Sequence, residues 1–85
     1  MNDPVQTRRY VREVLALNPA RELTERMLLD AVNRLSREPL GVDELAAALQ
    51  WNAARRLIES RTDDDLDGRT VFKLTLTGKQ KEGLA

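Results

Sequence analysis

Residues Pro39 to Arg61, PLGVDELAAALQWNAARRLIESR, constrain the fold more than any other stretch of this chain. Val42, Leu45, Ala46 and Leu49 fall at i, i+3, i+4 and i+7, which is one apolar stripe on a helix. Gln50 and Trp51 then read as a break. Asn52 follows as the cap of a second helix whose buried side is Ala54, Leu57 and Ile58. Two short helices joined by a tight turn are the expectation, with the rest of the chain arranged around them.

Size and composition bound what such a pair can serve. A chain of 85 residues is one domain with one core, and a core this small leaves no second layer to carry a deep cleft. Hydrophobic residues make up 41% and charged residues 33%, the balance of a globular protein. The sequence contains neither cysteine nor histidine. That removes disulfides, thiolate metal sites, the commonest general base and the commonest nitrogen ligand for zinc, so the expectation is no enzyme, no cofactor and no metal. No signal peptide or run of 18 apolar residues is present, so the expected setting is cytoplasmic, away from membranes. Fourteen basic and fourteen acidic residues give a net charge of zero. Any affinity for nucleic acid must then come from local segregation of charge.

In chain order, Asp3-Pro4 predicts a helix start and Asn18-Pro19 its end, giving a helix over 4–17. Its apolar side is Tyr10, Val11, Val14, Leu15 and Leu17; Arg9, Arg12 and Glu13 face away. A second helix starts at Asn18-Pro19 or at Thr24 and runs to about Ser36, with Leu23, Met27, Leu28, Ala31, Val32 and Leu35 as a broad stripe. Leu29 lies off that stripe, so this helix packs on two sides. Leu40, between Pro39 and Gly41, reads as a single strand bridge. After Arg61, TDDDLDG reads as an acidic turn and RTVFKLTLT alternates with period two, placing Phe72, Leu74 and Leu76 on one side of a strand. Ser60 to Asp64 is its antiparallel partner, Gly78 ends it, and residues 80–85 form a frayed tail.

The GVDELAAALQ helix, the Asn52-capped helix after it and the segment DGRTVFKLTLTGK together resemble the winged-helix family of DNA-binding domains over residues 24–79. The fold class expected is therefore mainly α with a small β-hairpin: a winged helix-turn-helix with an extra amino-terminal helix. The resemblance implies a small DNA-binding protein, a transcriptional regulator of bacterial or phage type, with double-stranded DNA as partner. On that reading Arg56 and Asn52 face outward to read base edges, with Arg55 and Ser60 beside them. Arg55, Arg61, Arg69 and Lys73 reach phosphates. A homodimer through the amino-terminal helix would supply the contacts one copy lacks.

The alternative is a winged helix that binds a protein and not DNA. The neutral charge, the short second helix and Glu59 among its arginines favour it. So do Asp63, Asp64, Asp65 and Asp67, which a phosphate backbone would repel. Between residues 50 and 81, seven bases face five acids, a net of only two positive charges. The same aspartates with Gly68 match the opening of a calcium-binding EF-hand loop, but Leu74 stands where the bidentate glutamate belongs, so a solvated turn is the better reading. Trp51 reads as a plug between the two helices, with an exposed partner anchor as the other reading.

Overall fold

The computed structural model describes residues 3–17, 21–36 and 38–83. Among these, four helices pack around a small three-stranded antiparallel sheet. The order is α1 (Pro4–Leu17), β1 (Leu23–Thr24), α2 (Glu25–Leu35), α3 (Val42–Ala54), β2 (Ile58–Asp63), a 3-10 turn (Asp64–Leu66), β3 (Arg69–Leu74) and α4 (Leu76–Lys81). The strands lie in the order β1-β3-β2. None of the described helices is long and apolar enough to cross a membrane.

The amino-terminal helix starts where its cap predicts. The Asp3 carboxylate accepts from the Val5 N–H at 3.0 Å, and Pro4 occupies the first helical position. For α2 the Thr24 hydroxyl accepts from Met27 N–H at 3.2 Å, which makes Thr24 the start; the competing Asn18-Pro19 signal lies outside the described residues. Leu40 forms no bridge. It is buried in the connection to α3, where its N–H donates to the Asn33 side chain at 2.7 Å, and the third strand comes instead from Leu23 and Thr24, paired with Phe72 and Val71.

The largest departure from expectation is at Gln50 and Trp51. No break occurs there: α3 runs unbroken from Val42 to Ala54. Asn52 is fully buried inside that helix and caps nothing. Its side-chain amide donates to Ala48 O at 2.9 Å and to Arg8 O at 3.2 Å, so packing has absorbed the polar group that reads, in isolation, as a helix start. The helix ends two residues later, at Ala54. Leu57 N–H donates to Asn52 O and Arg56 N–H to Ala53 O, both at 3.0 Å, with Arg56 left-handed at φ 59°. This is a Schellman turn, and buried Leu57 supplies its apolar contact. Residues 58 to 63 then pair along the whole of β3, from Ile58↔Leu74 to Asp63↔Arg69. Long-range pairing has overridden the local preference that suggested a second helix.

The hairpin is present as expected, but it begins at Ile58 and its second strand stops at Leu74. Thr75 there accepts from Gly78 N–H at 3.0 Å and starts α4, leaving Leu76 exposed. Gly78 has no space for a side chain: a Cβ would lie 2.0 Å from Leu57 O. Of the frayed tail expected over 80–85, residues 80 and 81 continue α4 and Glu82 caps it and is tied to the body; residues 84 and 85 lie outside the described residues. Arg12, expected on the outer side of α1, is buried, and its guanidinium donates to Glu82 and to the Asn52 side-chain oxygen, each at 2.9 Å. One buried cation thus ties α1, α3 and the end of α4 together. The apolar core gathers Val11, Val14 and Leu15 of α1, Leu28 and Val32 of α2, Leu45, Ala48 and Leu49 of α3, and Ile58 and Leu74 of the sheet.

Candidate functional site

Seven positions carry the expected DNA contacts, and the fold does not gather them into one surface. Asn52 is buried and reaches no solvent. Arg55 forms the C-terminal cap of α3, its guanidinium carbon 3.9 Å from the centre of the Trp51 ring. Arg56 is exposed in the left-handed turn, and its carbonyl accepts from the Thr75 hydroxyl. Ser60, Arg61, Arg69 and Lys73 lie on the hairpin.

On the hairpin, Arg61 and Lys73 each meet an acid. The Arg61 guanidinium grips Glu22 through two hydrogen bonds of 2.6 and 2.7 Å and lies 3.4 Å from Asp63. Those bonds hold the Glu22 carboxyl below its ordinary range and raise the arginine in turn. Lys73 is 3.4 Å from Glu59, its direct cross-strand partner, and Arg69 stands opposite Asp63. At the tip, Asp63 accepts from the Asp65 N–H at 3.0 Å, while Asp67 and Gly68 take left-handed backbone at φ 55° and 73°. The aspartates therefore build the turn. Among the described residues, no three His, Cys, Asp or Glu side chains are placed to hold a metal ion.

A different surface emerges on α3. Asp43, Ala47, Gln50 and Ala54 recur at i, i+4, i+7 and i+11 and are all exposed, with Val42 and Glu44 beside them. The row itself carries one acid, two alanines and one amide and no cation, with Arg8 on the adjoining cleft. Asp43 and Glu44 lie in the first turn, where the helix dipole favours negative charge. Next to it opens a cleft of about 390 Å³ between α1 and α3, floored by Pro4, Thr7, Ala47 and Ala48 and flanked by Arg8, Asp43 and Glu44. Arg8 is fixed at both ends: its carbonyl accepts from Asn52, and its guanidinium carbon lies 4.5 Å from the centre of the Trp51 ring. Trp51 is half-buried beneath two arginines, not sealed between two helices. Sequence reasoning missed the 43-47-50-54 row because the presumed break after Leu49 cut it in two.

No protein-family model matches this chain, and no curated protein matches it in sequence.

Proposed function

We propose that this protein is a winged-helix module that binds another protein rather than duplex DNA. The connectivity helix, strand, helix, helix, strand, strand, with spatial order β1-β3-β2, supports a winged helix. On this reading the helix-turn-helix pair is α2 and α3, not two halves of residues 39–61, and α3 is the helix presented to a partner. The carrying observation is the exposed face of α3, where Asp43, Glu44, Ala47, Gln50 and Ala54 offer two carboxylates and no cation. A helix entering a groove between two rows of phosphates needs the opposite sign of charge. The same face, with the adjacent cleft against α1, suits a protein surface that brings a small apolar contact and a basic rim.

DNA binding is the second reading. It is favoured by the same connectivity and by Arg55, Arg56 and Arg69, which remain exposed. Fluorescence anisotropy against a pool of random duplexes at low salt separates the two. The protein-binding reading expects no saturable signal, together with capture of one stoichiometric protein partner that Ala47→Arg abolishes. Tight duplex binding lost in an Arg55→Ala, Arg56→Ala double variant would establish the second reading in its place.

A further inference from the structure

Of the six large apolar side chains that stand exposed among the described residues, three line a single cleft. Leu17 at the end of α1 is 73% exposed, and Met27 and Leu35 on α2 are 36% and 41% exposed. The cleft holds about 430 Å³. Along α2 its wall is Met27, Asp30, Ala31, Arg34 and Leu35, spaced i, i+3, i+4, i+7 and i+8, one continuous face. The buried face of α2 is carried by Leu28 and Val32. This short helix therefore has two apolar faces, one in the core and one open, and a second apolar face on a helix is packing surface.

We infer that the open face is covered by a second copy of this chain, with the two α2 helices packed antiparallel about a two-fold axis near Ala31. The charge pattern selects that occupant. Asp30 and Arg34 lie one turn apart on the face, with opposite sign, and exposed Arg21, before β1, is the third charged residue lining the cleft. Turning one copy by 180° sets each Arg34 against the partner's Asp30, so one chain supplies both halves of two symmetric ion pairs. The same rotation brings Met27 over the partner's Leu35. The two pairings differ in register by two residues, ~3 Å of helical rise, an offset that the long Arg34 side chain spans. Ala31 at the crossing point is small enough for the axes to approach to about 8 Å. A net charge of zero leaves no long-range repulsion between copies.

Eleven residues of α2 span only ~16 Å, so the contact belongs at the small end of specific interfaces, near ~1,200 Å² in total, and the dimer dissociates readily on dilution. The face shares no residue with the exposed face of α3 or its cleft, so this inference stands or falls apart from the proposed function.

Sedimentation velocity at low salt, from about 5 to about 500 µM protein, tests it. The mass should rise from 9.7 kDa toward twice that value as concentration increases. A Met27→Glu, Leu35→Glu variant should stay monomeric with an unchanged circular dichroism spectrum, because both side chains point outward. Arg34→Asp should weaken association about tenfold or more, since two attractive contacts become repulsive. Asp30→Arg added to Arg34→Asp should restore it, because the swapped pair is again self-complementary. A monomer at every concentration overturns the inference, and so does a dimer indifferent to Arg34→Asp or not rescued by the double exchange.

Discussion

At the scale of single residues, the fold depends most on one arginine that its sequence position disguises. Arg12 is a charged residue on the side of α1 away from Val14 and reads as solvated, yet it is only 7% exposed. A charge removed from water is tolerated when hydrogen bonds replace its hydration, and here Glu82 and Asn52 provide them. Asn52 is the hinge of the arrangement, because its oxygen accepts from Arg12 while its nitrogen donates to two backbone carbonyls. Asn52→Ala removes all three contacts and leaves the guanidinium with Glu82 alone. The expected cost is ~2–4 kcal/mol, below the upper range for buried pairs because the Glu82 side chain keeps some contact with solvent. Urea unfolding followed by the single tryptophan measures it. A loss under about 0.5 kcal/mol, the level of an ordinary surface change, would mean the network does not hold the three helices together.

At the scale of elements, the end of α3 decides how the rest of the chain is used. Arg56 occupies the position of a Schellman turn that glycine prefers, with φ at 59°. A left-handed conformation costs an L-residue roughly 1–2 kcal/mol, part of which Arg56→Gly gives back as greater freedom of the unfolded chain. The expected outcome is a net gain of ~0.5–1 kcal/mol in the same urea experiment, and a loss of stability would contradict the turn geometry. The joint between the segment before β1 and strand β2 is tested by acid. Hydrogen bonds from Arg61 lower the Glu22 carboxyl from its reference value of 4.5, so the folded form holds its proton less tightly than the unfolded one. The stability gained from the pair is then complete above the ordinary carboxylate range and lost as pH falls through the lowered folded value. Thermal melts of the protein and of Arg61→Gln should differ at neutral pH and converge toward about pH 2; a constant gap would remove Glu22 as the cause. These elements also mark what the sequence makes legible. Local signals located the start of α1 and the hairpin, and offered Thr24 as one of two starts for α2, because caps and alternation act within a few residues. They misplaced the break in α3 and missed β1 and α4. Asn52 is satisfied by α1, two strand residues pair with a partner far along the chain, and Gly78 packs against Leu57; none of these is a neighbour in sequence. The candidate surface was hidden by the same error, since a helix cut at Gln50 does not display the row from Asp43 to Ala54.

At the scale of the whole molecule, the placement of charge matters more than its sum. The net charge is zero, Arg61 and Lys73 of the hairpin are matched by Glu22, Asp63 and Glu59, and the first turn of the open face of α3 carries Asp43 and Glu44. If α3 is the presented helix of a winged fold, its sign is what keeps the molecule off DNA, and reversing that sign should create affinity. Asp43→Lys with Glu44→Lys moves the net charge from zero to +4, two units per substitution, and places both lysines where the helix would meet a phosphate row. The change opposes the helix dipole and costs ~0.3–1 kcal/mol at each site, which circular dichroism should show the fold survives. The expected result is duplex binding at about 20 mM salt that disappears by about 200 mM, without sequence preference, because each neutralised phosphate adds a slope of ~0.9 to the salt dependence. The unaltered chain should show no binding at either concentration. A folded double variant that still ignores duplex would mean that α3 is not positioned to reach a groove, and the winged-helix docking geometry would fall with it.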